Sequence, residues 1–217
     1  MALDVDDFID RLDADNEAYF SALPEQDTVY WTQKLDGLAA AQALLPRWYN
    51  EIRGVEIIGR FIGRVPDLSL KALVGRQVGD EAKHARQCRR RIEALGGSVL
   101  SFVPSPEQVR FGDLLDAMVY PEEFFAAQQL TVETQSIKRN ELALSRFDPE
   151  TAAMFEKHIN PDERFHAKLG RMGLQVFART QAAQDRAWRA AELIREAHVA
   201  MVRSHSANTT AAALLDS

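Results

Sequence analysis

Residues 50–85 can be laid on residues 132–167 at an offset of 82 without a gap, and the matches fall mostly on charged positions. Glu51 meets Glu133, Arg64 meets Arg146, Asp80 meets Asp162, Glu81 meets Glu163 and His84 meets His166. The turn residues Val65-Pro66-Asp67 and Phe147-Asp148-Pro149 coincide as well. A repeat that keeps acids and histidines in register constrains the chain more than any apolar pattern could. It describes two related helical hairpins whose shared positions are mostly not core positions.

The rest of the chain reads as helix. Only 8 Pro and 11 Gly occur in 217 residues, and the alternation of β-branched residues expected of strands is missing. A short amphipathic helix is expected over residues 4–23, closed by Pro24. A long helix follows over about 32–64, with Ala41, Leu44, Trp48, Val55, Ile58 and Ile62 on one face. After the break at residues 65–67, a helix runs from Leu68 to about Leu95 and ends at Gly96-Gly97. Residues 98–120 hold one short helical piece over 111–118. Pro121 starts a third long helix to about Phe147. Asp148 caps a fourth, to about Arg179, and a fifth covers about 181–205. The expected fold is all-α: a ferritin-like four-helix bundle with a long crossover between hairpins and extra helices at both ends. Residues 1–205 form one domain, the bundle occupies about 32–179, and 206–217 form a flexible tail.

Both hairpins carry Asp-Glu-x-x-His, as Asp80-Glu81-Ala82-Lys83-His84 and Asp162-Glu163-Arg164-Phe165-His166. Residues three apart share a helix face, so Glu and His can reach one metal ion together. Chance predicts about 0.03 such motifs in a chain of this composition. Spacing names two further ligands. Glu51 and Glu81 straddle Pro66, and Glu133 and Glu163 straddle Asp148. Each ligand therefore stands about 15 residues, roughly 22 Å, from its turn. Glu56 would sit off that level and about 140° round the helix from Glu51. The expected ligand set is thus Glu51, Glu81, His84, Glu133, Glu163 and His166.

Four carboxylates and two imidazoles are costly to bury unless cations neutralise them, and two divalent ions supply the matching charge. Oxygen and imidazole donors suit iron or manganese, with a mixed pair also allowed. Asp80 and Asp162, one residue before each motif Glu, are expected to accept a ring N–H from a ligand histidine and fix its tautomer. The single cysteine, Cys88, excludes an internal disulfide, a CxxC pair and a four-thiolate site. The balance of 26 basic and 32 acidic residues, a net charge of −6, argues against a general nucleic-acid binder. No stretch approaches a membrane span, and the acidic N-terminus lacks a leader pattern. The expected location is the cytoplasm.

This ligand pattern resembles the ferritin-like di-iron carboxylate superfamily, which includes bacterioferritins, rubrerythrins, ribonucleotide reductase small subunits, acyl carrier protein desaturases and bacterial hydrocarbon monooxygenases. The resemblance implies that Glu51 and Glu133 are terminal ligands, that Glu81 and Glu163 bridge, and that each ion takes one histidine. It implies a non-haem di-iron oxidase or oxygenase that activates O₂ to hydroxylate, desaturate or N-oxygenate a small organic substrate, supplied by an external electron donor. The alternative is a ferroxidase, iron-storage or peroxide-scavenging protein. Departures narrow the subfamilies. Ala82 stands where bacterioferritin has its haem-ligating Met, so no haem is expected. Cys88 replaces the radical Tyr of the reductases, and Ile137 replaces the Thr of the monooxygenases.

Trp48 and Ile137 are expected to line the substrate pocket. Glu56, Glu141 and Glu156 are candidates for a further ligand, set against solvated carboxylates. His158, His198 and His205 lack a ligand-spaced acid and are expected at the surface. The extra helices suggest a lid or a homodimer surface. A metal-free interaction module would leave six inward polar groups unneutralised.

Overall fold

The structure, a computed structural model, describes residues 1–23, 34–100 and 102–215, with side chains described through residue 205. The described residues are almost all helical, with no strand among them. Among the described residues seven helices follow one another: α1 (Val5–Ser21), α2 (Gly37–Phe61), α3 (Leu68–Ala94), α4 (Pro106–Asp116), α5 (121–143), α6 (149–177) and α7 (Gln181–Leu215). Two of them are composite. In α5 a π-helical stretch, Phe125–Val132, separates Pro121–Phe124 from Glu133–Ala143. In α6 the π-helical stretch Phe155–Ile159 separates Pro149–Met154 from Asn160–Phe177.

Local chemistry sets the ends. The Asp67 side chain accepts from Leu70 N at 2.8 Å and opens α3, while Gly96, at φ +85°, lets the chain leave it. Asp148 accepts from Glu150 N and Thr151 N, each at 3.0 Å, and Arg91 reaches across from α3 to the same carboxylate at 2.7 Å. Ser105 caps α4 and Pro106 takes its first turn, so that helix starts five residues before the expected Phe111. Pro161 has no N–H to give, and the backbone just before it takes the wider π form. The helix expected over 32–64 begins at Gly37 among the described residues, and Pro24 and residues 32–33 lie outside them. α7 continues to Leu215, ten residues past its expected end, through the strong helix formers Ala211–Ala213.

Helices α2 and α3 pair as one hairpin and α5 and α6 as the other; the hairpins meet through α3 and α6. α7 lies along the π-helical part of α5 and against α4, and α1 covers α6 and α7. Where α6 crosses α5 the backbones nearly touch. A Cβ on Gly170 would fall 2.6 Å from Leu130 N and 2.9 Å from the Gln129 carbonyl carbon, so only glycine fits. The core is split in two. A large apolar cluster holds Ile58, Phe61, Val74, Phe124, Leu130, Leu169 and Ile194. A smaller one holds Ala41, Leu44, Cys88, Ile92, Phe155 and Ile159. Along α2, α3 and α6 the motif acids and histidines fall between the members of these clusters, as a polar layer inside an apolar body. Among the described residues no helix is long and apolar enough to cross a membrane.

Candidate metal centre

All six residues singled out by the repeat are buried and converge on this polar layer. They form two trios, Glu51–His84–Glu163 and Glu81–Glu133–His166, and within each trio one donor atom per residue lies within 4.8 Å of the others. Each trio draws a Glu and a His from one hairpin and the motif Glu from the other. Glu81 stands between the rings: its Oε2 is 3.6 Å from His84 Nδ1 and its Oε1 is 3.4 Å from His166 Nδ1.

The outer face of each ring is held by the opposite hairpin. His84 Nε2 lies 3.1 Å from Asp162 Oδ2, and His166 Nε2 lies 3.5 Å from Asp80 Oδ2. With the proton kept at Nε2, each Nδ1 faces inward, and its lone pair would be free to ligate once any proton there is released to an incoming cation. Neither Nδ1, nor Glu163 Oε2, has a hydrogen-bond partner, although all three atoms are buried. Native interiors rarely leave such atoms orphaned, and one cation in each trio would satisfy all three. Lys83 bonds to Asp162 and stands 3.6 Å from Asp80, and Arg76 reaches Asp80 at 3.4 Å, so the two aspartates have their own counter-charges.

Residues the repeat did not mark complete the layer. Arg47, one turn before Glu51, bonds to both Glu51 and Glu163. Gln77, one turn before Glu81, donates to Glu81 Oε1 at 3.2 Å and to Glu133 Oε1 at 2.9 Å. Gln128, on the π-helical stretch, donates to the same Glu133 oxygen at 2.9 Å, and Gln129 fixes Gln77 at 3.2 Å. The electrostatics follow. Burial pushes Glu81 up to about 7, with the nearby Glu51 charge adding to it. Burial, then Glu163 and Glu81, holds Glu133 well above the carboxylate range. In Glu51, burial is outweighed by Arg47 and His84, and its carboxyl lies far below its usual value. For His84, burial opposes the charge, but Glu51 and Glu81 win and raise it to about 11. The acids thus survive together by sharing protons and borrowing an arginine.

A cavity of about 70 Å³ opens beside the trios, bordered by Arg47, Asn50, Glu51, Gln108, Phe111, Ser136, His198 and Met201. Trp48 and Ile137 do not line it. Trp48 packs edge-on against Phe102 at 6.5 Å, and the turn after Glu133 presents Ser136 instead of Ile137. Glu56, Glu141 and Glu156 are exposed; Glu56 pairs with Arg53 and Glu141 with Arg164, too far out to ligate. His158 is exposed, but His198 is 5% exposed and sits in the cavity wall. Its apolar neighbours Val199, Met201 and Val202 were the available signal for burial. Burial, with Arg139 next, keeps His198 well below its usual value and so neutral. Cys88 is fully buried and its thiol is pushed up by burial and by Glu51, which makes it a poor nucleophile.

No family model matches the chain, and no curated protein matches it. Among solved structures, a TenA homologue from Pyrococcus furiosus superposes with a TM-score of 0.75 at 11% identity, covering 91% of this chain and 99% of that one. The fold is therefore of the TenA kind, an all-helical fold distinct from the ferritin-like carboxylate proteins. That finding corrects the family resemblance drawn from the motif. With it fall the ferritin-like four-helix bundle, the O₂-activating oxidase, oxygenase or monooxygenase, and the ferroxidase and storage alternative, all of which rested on the family. The physical reason is plain. Glu-x-x-His reports which donors share a helix face, and any two antiparallel hairpins can carry it. Fold identity lies in how α1, α4 and α7 wrap those hairpins, which the motif does not read.

Proposed function

We propose that this chain is a metalloenzyme that binds two divalent cations, one at Glu51–His84–Glu163 and one at Glu81–Glu133–His166, and acts on a small organic molecule in the adjoining cavity. Iron or manganese is the proposed metal, since the donors are hard carboxylate oxygens and imidazole nitrogens with no thiolate among them. The observation that carries this reading is the pair of buried inward-facing Nδ1 atoms, each backed by an aspartate and set among carboxylates. Bound there, the ions would supply Lewis acidity and a more acidic attached water.

The chain's own groups do the rest. Asp162 and Asp80 hold the two rings in the ligating tautomer, and Gln77 and Gln128 orient Glu133 through its Oε1. The apolar clusters above and below keep bulk water from the layer, which strengthens every charge interaction within it. Titration of the metal-free protein with Mn²⁺ or, without air, Fe²⁺ tests the reading. Two ions retained per chain, one of them lost in a Glu81→Ala variant, are expected; uptake near zero overturns it.

A second reading rests on the fold alone: a part in thiamine salvage, as the TenA likeness suggests, with the acidic layer facing an organic cation. Tight binding of thiamine or its pyrimidine half by a chain that takes up no metal would favour it.

A further inference from the structure

The cation set around the trios does not balance once metals are counted. Two divalent ions match the four trio carboxylates, and Lys83 with Arg76 matches Asp80 and Asp162. Arg53, at the cavity mouth, is neutralised by Glu56 at 2.6 Å and Asp113 at 3.4 Å. Arg47 is left over. Its Nε and Nη2 bond to the Oε1 atoms of Glu51 and Glu163, whose Oε2 atoms are left for a cation, and Nη1 meets only neutral groups, Ser136 Oγ at 3.2 Å and Asn140 Oδ1 at 3.5 Å. With the four carboxylates already matched by two divalent ions, this guanidinium, its side chain 17% exposed, is a positive charge in excess, and such a charge is costly to bury uncompensated. It borders the cavity, so a compensating anion has a place to sit.

We infer that the substrate is a small carboxylate with a short apolar body, its carboxylate paired to Arg47 and its body lying in the cavity toward Ile57, Phe111 and Met201. The inference deepens the metalloenzyme reading and rests on it. The planar fork of Arg47 fits a carboxylate in two-point contact. A cavity of 70 Å³ has room for about five water-sized groups, which limits the body to a few carbons. Gln108 and His198 both line the same cavity, and Gln108 Oε1 and His198 Nδ1 are buried without partners, so a polar group further along the molecule could pair with them. Burial first, then Arg139, His205 and Arg47, holds His198 well below its usual value, so the ring is a neutral polar group in that wall.

The test compares two isosteric probes, isobutyrate and isobutyramide, on the Mn²⁺-loaded protein, reading each dissociation constant from paramagnetic broadening of the probe methyl protons. The acid is expected to bind about tenfold or more tighter than the amide, the scale of one charge-assisted pair. Arg47→Gln should bring the two within about twofold while still holding two Mn²⁺, and Arg47→Lys should restore part of the preference. Equal binding of acid and amide by the wild type overturns the inference, whatever the variants do. So does an acid preference that survives in Arg47→Gln, because the metals alone would then be selecting the anion. A wild type that takes up no Mn²⁺ removes the metalloenzyme reading and this inference with it, and metal analysis of the same sample separates that failure from the others.

Discussion

Replacing Gly170 with Ala tests whether α6 truly rests on the π-helical stretch of α5. The added methyl would lie 2.6 Å from Leu130 N and 2.9 Å from the Gln129 carbonyl carbon, both backbone atoms. A flexible side chain could swing aside, but a π-helical backbone bounded by Glu133 cannot move without carrying the ligand along. Overpacking a tight core costs about 1–3 kcal/mol, and here the upper end applies. Alanine returns about 1 kcal/mol through helix propensity. The net loss is about 2 kcal/mol, or roughly 4–8 °C in Tm for a chain of this size. Gly75→Ala is the control: it sits in α3 with nothing within 4 Å of an added Cβ, so only the propensity gain acts and Tm should rise by roughly 2–4 °C. Thermal unfolding followed by circular dichroism reads both. If Gly170→Ala stabilises the chain as Gly75→Ala does, the close approach and the register it imposes on Glu133 are refuted.

Other perturbations address the layer itself. Glu51→Ala should lose an ion while Glu56→Ala, exposed and paired with Arg53, keeps both; the reverse in metal analysis would overturn the ligand assignment. Asp162→Asn and Asp80→Asn should keep the fold but weaken metal affinity by about 10–100-fold, measured by competition with a chelator; unchanged affinity would return them to ordinary surface acids. Without metal, stability should fall as pH rises. Glu81, raised from 4.5 to about 7, contributes stability below 4.5 that is lost through 7, and His84, raised from 6.5 to about 11, contributes stability below 6.5 that is lost toward 11. With saturating Mn²⁺ the trend should reverse, because binding must expel those protons. Urea melts between pH 7 and 9, above the range where the lowered His198 and His205 act in the opposite sense, check both signs, and parallel trends in the two samples would refute the shared-proton picture.

The converging positions could be read from the chain because two periodicities, three residues along a helix and 30 residues across a turn, fix them without reference to packing. Asp80 and Asp162 were readable for the same reason, although their crossing to the opposite hairpin's histidine was not. Arg47 is not legible there, because a basic residue four before a Glu looks like an ordinary exposed helix pair; nothing local says the pair is buried. Gln77 and Gln128 belong to no motif, since an amide can serve any acid it happens to meet. The π-helical stretch in α5 has no composition of its own, whereas the one in α6 is announced by Pro161. The largest gap was the wrapping of α7. Its amphipathic face says that it packs, not that it packs on α5 and brings His198 to the cavity, and without that packing the motif alone points to the ferritin-like kind of bundle.

The crossing of the two halves has a consequence for how such a protein can exist at all. Each trio takes two members from one hairpin and one from the other, and each aspartate steadies the histidine of the opposite hairpin, so the exchange is reciprocal, as at a two-fold axis. A lone hairpin carrying one copy of these residues would own two unfinished sites and could complete them only by meeting its twin. Joined in one chain, the twins no longer need to be identical. Arg47 faces the layer from the first half, while the position 82 residues later is Gln129, an uncharged amide. A symmetric pair would have to place a guanidinium on both sides or on neither; a fused pair can be charged on one side and neutral on the other, which gives the layer a front and a back.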